Sequence, residues 1–220
     1  MHAEGLAFPD AVERLAAEAG IAVPVSSPEE RQRELVRATL YQVVEAATAW
    51  FEAKLQGPRG GPARDYLAGR GLDADTINRF RLGFAPDGRG TLKTELMGGT
   101  ISEAQLIEAG MLIAPDDGGA SYDRFRGRIM FPITDRRGRP IAFGARALGD
   151  GQPKYLNTPD TPLFNKGHIL YGLATARRAA HDTGRLLVCE GYMDVIALAG
   201  AGMAEVVAPL GTAITETQIE

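Results

Sequence analysis

The sequence is poor in cysteine and histidine: one cysteine, Cys189, and three histidines, His2, His168 and His181, in 220 residues. A lone cysteine excludes an intrachain disulfide and a cysteine-based zinc site, and the histidines lack metal-ligand spacing. Long apolar runs are also missing. No stretch reaches bilayer-spanning length, and no basic-then-apolar leader opens the chain, so a cytoplasmic protein without a membrane partner is expected. Hydrophobic content of 45% and charged content of 24% suit a globular chain of one large or two modest domains.

Net positive charge is absent too. The formal balance is −4, which by itself counts against a nucleic-acid binder. The distribution argues the other way. From Arg124 to Lys166 nine basic residues stand against three acids, a local +6, while the remainder holds 15 basic and 25 acidic residues. Such asymmetry is the footprint of a phosphate-facing surface.

Local signals divide the chain. Pro9 opens a short helix with Val12, Leu15, Ala16 and Ala19 on one stripe, and a break follows at Pro24 and Ser26. Ser27 and Glu30 form a capping box, with Pro28 at the first helical position. That helix is predicted to reach about Leu55, burying Leu35, Leu40, Val43, Val44, Ala47, Trp50, Phe51 and Leu55. Residues 56–62 read as a loop. A helix follows to Gly69 with Tyr66 and Leu67 inward, then a turn with Asp73 as the next N-cap. Ser102 with Gln105, and Thr215 with Gln218, repeat the capping-box pattern.

In residues 124–131 the arginines Arg124, Arg126 and Arg128 alternate with Phe125, Ile129 and Phe131 in strand period. Residues 141–146 return as an antiparallel partner, and parity sends Arg146 towards the arginine-bearing side. The plain alternative is a solvated outer face. Three arginines without interleaved acids repel one another, which favours an anion partner. Beyond them, Lys154 and Tyr155 sit in a loop rich in turn formers, and Lys166 follows.

Residues 186–189, Leu-Leu-Val-Cys, read as a strand buried on both faces, with Cys189 a small core residue. Glu190 then stands at a strand's carboxyl end, where α/β sheets place ligands, and Asp194 lies one helical turn on. Both acids could face one pocket; Glu190 as a turn cap and Asp194 as a solvated first-turn acid is the competing reading. Tyr192, at the helix start, reads as packing. A second buried strand is predicted at residues 205–208.

Three segments, residues 122–133, 153–167 and 188–195, resemble in order and spacing the catalytic core of bacterial DnaG-type DNA primases. Asp65–Leu72 and Arg81–Pro86 extend the likeness. The resemblance implies an α/β protein: an α+β amino-terminal subdomain, then an incomplete Toprim α/β fold. The expected divisions are a helical segment at 1–57, a basic mixed subdomain at 58–184 and the first part of a Toprim domain at 185–220. It implies a nucleotidyltransferase, a DNA-directed RNA polymerase that lays RNA primers on single-stranded DNA during replication, in the nucleoid or replisome. Glu190 and Asp194 would be catalytic and hold Mg²⁺ or Mn²⁺ in a site that these residues only partly supply. Lys154 and Tyr155 would take part in catalysis, Lys166 in nucleotide binding, and Arg70, Arg124, Arg126, Arg128, Arg146 and Lys154 in nucleic-acid binding. The implied partners are a DNA template, ribonucleoside triphosphates and the RNA primer. Zinc and a replicative helicase are implied only through flanking domains not contained in these residues. Further acids of the Toprim centre, including an Asp-x-Asp pair, are missing, so these 220 residues are expected to be inactive alone. A nucleic-acid-binding Toprim accessory module without catalysis is the alternative. A Toprim nuclease or topoisomerase would need a strand-cleaving tyrosine, and none stands out.

Overall fold

Ser27 and Glu30 close the expected capping box: the Glu30 amide donates to the Ser27 hydroxyl at 3.1 Å and the Ser27 amide to the Glu30 carboxylate at 2.7 Å. Helix α1 follows over Pro28–Gln56 in this computed structural model, which describes residues 14–16, 18–20, 27–211 and 214–219, the last without its side chain. The expectations at Pro9, Val12, Pro24, Ser26 and His2 lie outside the described residues. Residues 1–36 and 37–220 form separate compact units. In the first, residues 14–16 and 18 are helical, yet Leu15 is exposed, as is Leu35 on α1. A leucine set among Glu29, Glu30, Arg31, Arg33 and Glu34 belongs to no apolar stripe.

In the second unit α1 buries Leu40, Val43, Val44, Ala47, Phe51 and Leu55. Trp50, expected in the core, is half-buried and donates its indole N–H to Glu95 at 2.9 Å. The expected loop contains a 3₁₀ turn, Pro58–Gly60, and helix α2 already begins at Gly61, running to Gly69. Asp73 caps α3 (Ala74–Arg79), accepting from the Thr76 amide at 2.8 Å. Helices α4 (Thr91–Leu96) and α5 (Glu103–Glu108) follow strand β1 (Gly83–Ala85). The Ser102–Gln105 capping box is complete. A small ribbon pairs β2 (Leu112–Ile113) with β3 (Tyr122–Asp123), whose Asp123 carboxylate accepts from the Leu92 amide at 2.8 Å.

The main sheet runs β1–β4–β5–β6, all antiparallel, with β4 at Arg128–Thr134, β5 at Pro140–Ala147 and β6 at Tyr155–Asn157. Its register puts Met130, Ala145 and Phe143 on one face, towards α1, where Phe51 meets Phe143 edge-on at 5.1 Å. The other face carries two rows, Phe131–Gly144–Asn157 and Ile129–Arg146–Tyr155. Helix α6 (Leu173–Thr183) leads to strand β7 (Leu187–Val188), helix α7 (Tyr192–Gly200), strand β8 (Val206–Val207) and helix α8 (Glu216–Ile219). Strands β7 and β8 pair in parallel, as a βαβ unit requires.

The expectation that residues 186–189 are buried on both faces is corrected. Leu186 is 44% and Val188 50% exposed, and Cys189 is only partly buried. Strand β7 has one hydrogen-bonded neighbour among the described residues, β8, so the ladder covers one edge only.

Candidate functional site

The site is built where the second sheet face meets the start of α7. Tyr192 is buried there: its ring stacks on Phe131 with centroids 5.2 Å apart, and its hydroxyl donates to Asn157 Oδ1 at 2.7 Å. Between those contacts lies Gly144, where any Cβ would come within 2.3 Å of the Tyr192 ring. All three residues of one row therefore hold one tyrosine, and the packing role expected of Tyr192 is what its contacts describe. Burial raises the Tyr192 phenol well above its ordinary range.

That tyrosine stands two positions from each carboxylate, so its seat aims both. Glu190 and Asp194 are exposed and line one cleft of about 290 Å³ with Tyr155, Asn157, Gly191, Pro209 and Gly211. The cleft opens at the carboxyl ends of β7 and β8, where parallel strands present their ligands. Asp194 also reaches back to accept from the Gly191 amide at 3.2 Å. The turn cap is thus Asp194, not Glu190, because an N3 acid can satisfy an orphan amide of the first turn. Asn157 donates from Nδ2 to the Leu210 carbonyl at 3.0 Å, tying down the opposite lip. Cys189 borders this region; burial and then the nearby Asp194 charge push its thiol upward, against reactivity.

The basic residues divide sharply. In register opposite Tyr155, Arg146 leaves the sheet on the cleft side. Its guanidinium lies 4.3 Å from the Tyr66 ring centroid and 6.0 Å from that of Tyr155. Arg70 joins the same group: it donates to the Tyr66 hydroxyl at 3.0 Å and lies 5.5 Å from the ring. Lys154 and Tyr155 are exposed, the latter by 45%. The Ala147 amide donates to the Lys154 carbonyl at 2.9 Å and fixes the backbone there.

The alternating strand of Arg124, Arg126 and Arg128 does not form. Gly127 has φ +58, in the left-handed region, and breaks the extended backbone between them. Arg128 alone lies in β4, on the face away from the cleft, 6% exposed and donating to the Pro153 carbonyl at 2.8 Å. Arg124 is half-buried and donates to the Gly110 carbonyl at 2.9 Å; burial lowers its pKa. Arg126 lies 5.1 Å from the Tyr122 ring and donates to the Asp123 carbonyl at 3.2 Å. Arg146 therefore does not join an arginine-bearing face; it joins tyrosines. Lys166 is exposed and lies outside the cleft lining, with its carbonyl accepting from Gln218 Nε2 at 3.1 Å.

Tyr66 and Asn157 were not singled out from sequence. Tyr66 reads as an inward helix residue, although Arg70 four positions on was a local signal, and Asn157 sits in a turn-rich loop; packing of α2 on the sheet gives Tyr66 its contact with Arg146, and strand pairing gives Asn157 its place beside Tyr192. Among the described residues no three His, Cys, Asp or Glu side chains converge. The two cleft carboxylates nonetheless fit a hard divalent cation, since Mg²⁺ is held through one or two carboxylates plus water and substrate phosphates.

The family described as the DNA primase catalytic core, N-terminal domain, matches residues 50–177, and the Toprim domain matches residues 184–220. A DNA primase of Pseudomonas putida is 46% identical over 223 residues, covering 100% of this chain and 34% of that protein. The DNA primase of Escherichia coli K12 is likewise 46% identical, covering 100% and 38%. The chain thus spans little over a third of these relatives. A DnaG primase catalytic domain bound to single-stranded DNA superposes with a TM-score of 0.78 at 47% identity, over 84% of this chain and 58% of that one. The RNA polymerase domain of Mycobacterium tuberculosis DnaG primase, in complex with a double-stranded DNA oligomer with a 6-nucleotide overhang, gives 0.78 at 34% identity, over 83% and 57%.

Proposed function

The chain belongs to the DNA primase catalytic-core family, and from that premise we propose that its cleft is part of a site joining ribonucleotides on a single-stranded DNA template. The observation that carries the reading is the convergence of Glu190 and Asp194 with Tyr155 on one cleft, beside the row that bears Arg146. Glu190 and Asp194 would hold Mg²⁺ or Mn²⁺, which would supply Lewis-acid activation and charge neutralisation for nucleotidyl transfer. The chain's other residues bind and orient. Arg70, Arg146 and Lys154 neutralise template phosphates, and the exposed Tyr155 ring offers a face on which a base can stack. Arg124 and Arg128, committed to carbonyls, serve the scaffold; Arg126 is a weaker candidate for the template.

Lys166 as a nucleotide contact rests on the resemblance alone. Association with a helicase, and zinc in a separate domain, are proposals about the full-length protein, and no residue described above is assigned to either. Among the described residues no helix is long and apolar enough to cross a membrane.

The test is RNA primer synthesis by the full-length protein on single-stranded DNA with ribonucleotides and Mg²⁺. RNA product that disappears on chelating the metal supports the reading. DNA binding without product contradicts it and leaves the accessory-module alternative.

A further inference from the structure

Arg146 is held in an unusual way. The only hydrogen bond of its side chain among the described residues is a long one, from Nη1 to the Ala147 carbonyl at 3.3 Å. Its Nε is shielded from solvent and has no partner. No carboxylate pairs with it among the described residues, although the residue is half-buried. A guanidinium with so few hydrogen bonds would ordinarily sample many rotamers. What remains to fix it is the Tyr66 ring, 4.3 Å from its centre, with Tyr155 farther off at 6.0 Å. Tyr66 holds Arg70 as well, through ring and hydroxyl together. Two like charges against one ring repel, and among the described residues neither is paired with an acid, so the group is poised for an anion.

We propose that Tyr66 is a positioning residue of the template site: its ring holds Arg146, and its ring and hydroxyl hold Arg70, as a preformed pair of phosphate contacts. This rests on the reading of Arg70 and Arg146 given above. Helix α2 supplies the ring from one side of the pair and the sheet supplies Arg146 from the other. The contact joins residues 65–72, one of the segments that resemble primases, to β5, at a point that carries no reacting group.

The experiment is binding of a fluorescein-labelled oligo-dT strand to full-length protein, followed by anisotropy across a salt series. The variants are Tyr66→Leu, Tyr66→Phe, Arg146→Ala and the double variant Tyr66→Leu/Arg146→Ala, with folding checked by thermal melting. Tyr66→Leu is expected to weaken binding between roughly threefold and tenfold, with Tyr66→Phe restoring most of the loss because the ring persists. The double variant is expected to lose clearly less than the product of the two single losses, because the residues act as a unit. Arg146→Ala weakened with Tyr66→Leu unaffected overturns the positioning role alone, as does a double variant that equals the product. Arg146→Ala binding like the unaltered protein overturns the site reading and this inference with it.

Discussion

Arg128 and Arg146 occupy adjacent strands of one sheet, yet their surroundings assign them opposite work. Arg128 is buried and spends its guanidinium on the Pro153 carbonyl; Arg146 stands between tyrosine rings beside the cleft. Truncating Arg128 to Ala is therefore expected to cost about 2 kcal/mol of stability through lost packing and an orphaned carbonyl. Urea unfolding measures that cost, and the salt dependence of DNA binding is expected to stay as it was. Lys154→Ala should do the reverse, leaving stability within about 0.5 kcal/mol and reducing the salt slope by about 1. A shallower slope in the Arg128 variant would contradict the division. The sequence made the basic cluster legible as a cluster. It could not assign sides, because strand parity fails wherever a residue such as Gly127 leaves the extended region. Tyr66 was hidden for a related reason: an aromatic on a short helix looks like core until the arginine above it is placed.

The elements whose ends are set by neighbouring residues follow their sequence closely. Ser27 with Glu30, Asp73 with Thr76, and Ser102 with Gln105 each make the cap their spacing predicts. At Thr215 only half the box forms: its amide donates to Gln218 while its hydroxyl donates to the Gly167 carbonyl. The antiparallel return of residues 141–146 on β4 was legible, but the register across β4, β5 and β6 was not. The row Phe131–Gly144–Asn157 becomes a seat for Tyr192 only once three strands are in register. Gly144→Ala should push that ring and cost about 2 kcal/mol, measured by unfolding, and should lower primer synthesis by moving the acids with Tyr192. A variant of full stability and activity would show that the seat is looser than described. The β4–β5 turn gives a pH prediction. Burial alone would raise the Asp135 carboxyl, but the amides of Arg139 and Arg137 and the Arg139 guanidinium outweigh it, leaving its pKa below the ordinary value. A depressed folded pKa adds stability that is present above the unfolded value and lost as pH falls through the folded one. Asp135→Asn should accordingly destabilise at neutral pH, and the gap should close in acid, below the usual carboxylate range. A gap constant from neutral to acid pH would refute the assignment.

Across the larger unit, cations and acids come from different stretches and meet through a few joints. Arg70 caps the end of α2, Arg146 lies on β5, and Lys154 precedes Tyr155 at the start of β6; Glu190 follows β7 and Asp194 lies in the first turn of α7. Tyr192 and Asn157 tie the two together, one through stacking and one through its hydrogen bonds to Tyr192 and Leu210. The segment around Glu190 left a cleft acid and a turn cap both open from sequence alone, because an acid after a short apolar strand can serve either way. Its burial was overestimated, since a run of apolar letters does not say how many neighbours a strand will have. The proposed site divides its labour between acids that serve the chemistry and cations that hold the template. The most direct test is single-ribonucleotide incorporation by the full-length protein, with rate and DNA affinity measured together for Glu190→Gln and Arg146→Ala. Glu190→Gln is expected to lose roughly 100-fold or more in rate with little change in affinity. Arg146→Ala should lose affinity about fivefold to tenfold and recover most of its rate at saturating DNA. Equal losses of rate and affinity in both variants, or an unaltered rate in Glu190→Gln, would contradict that division.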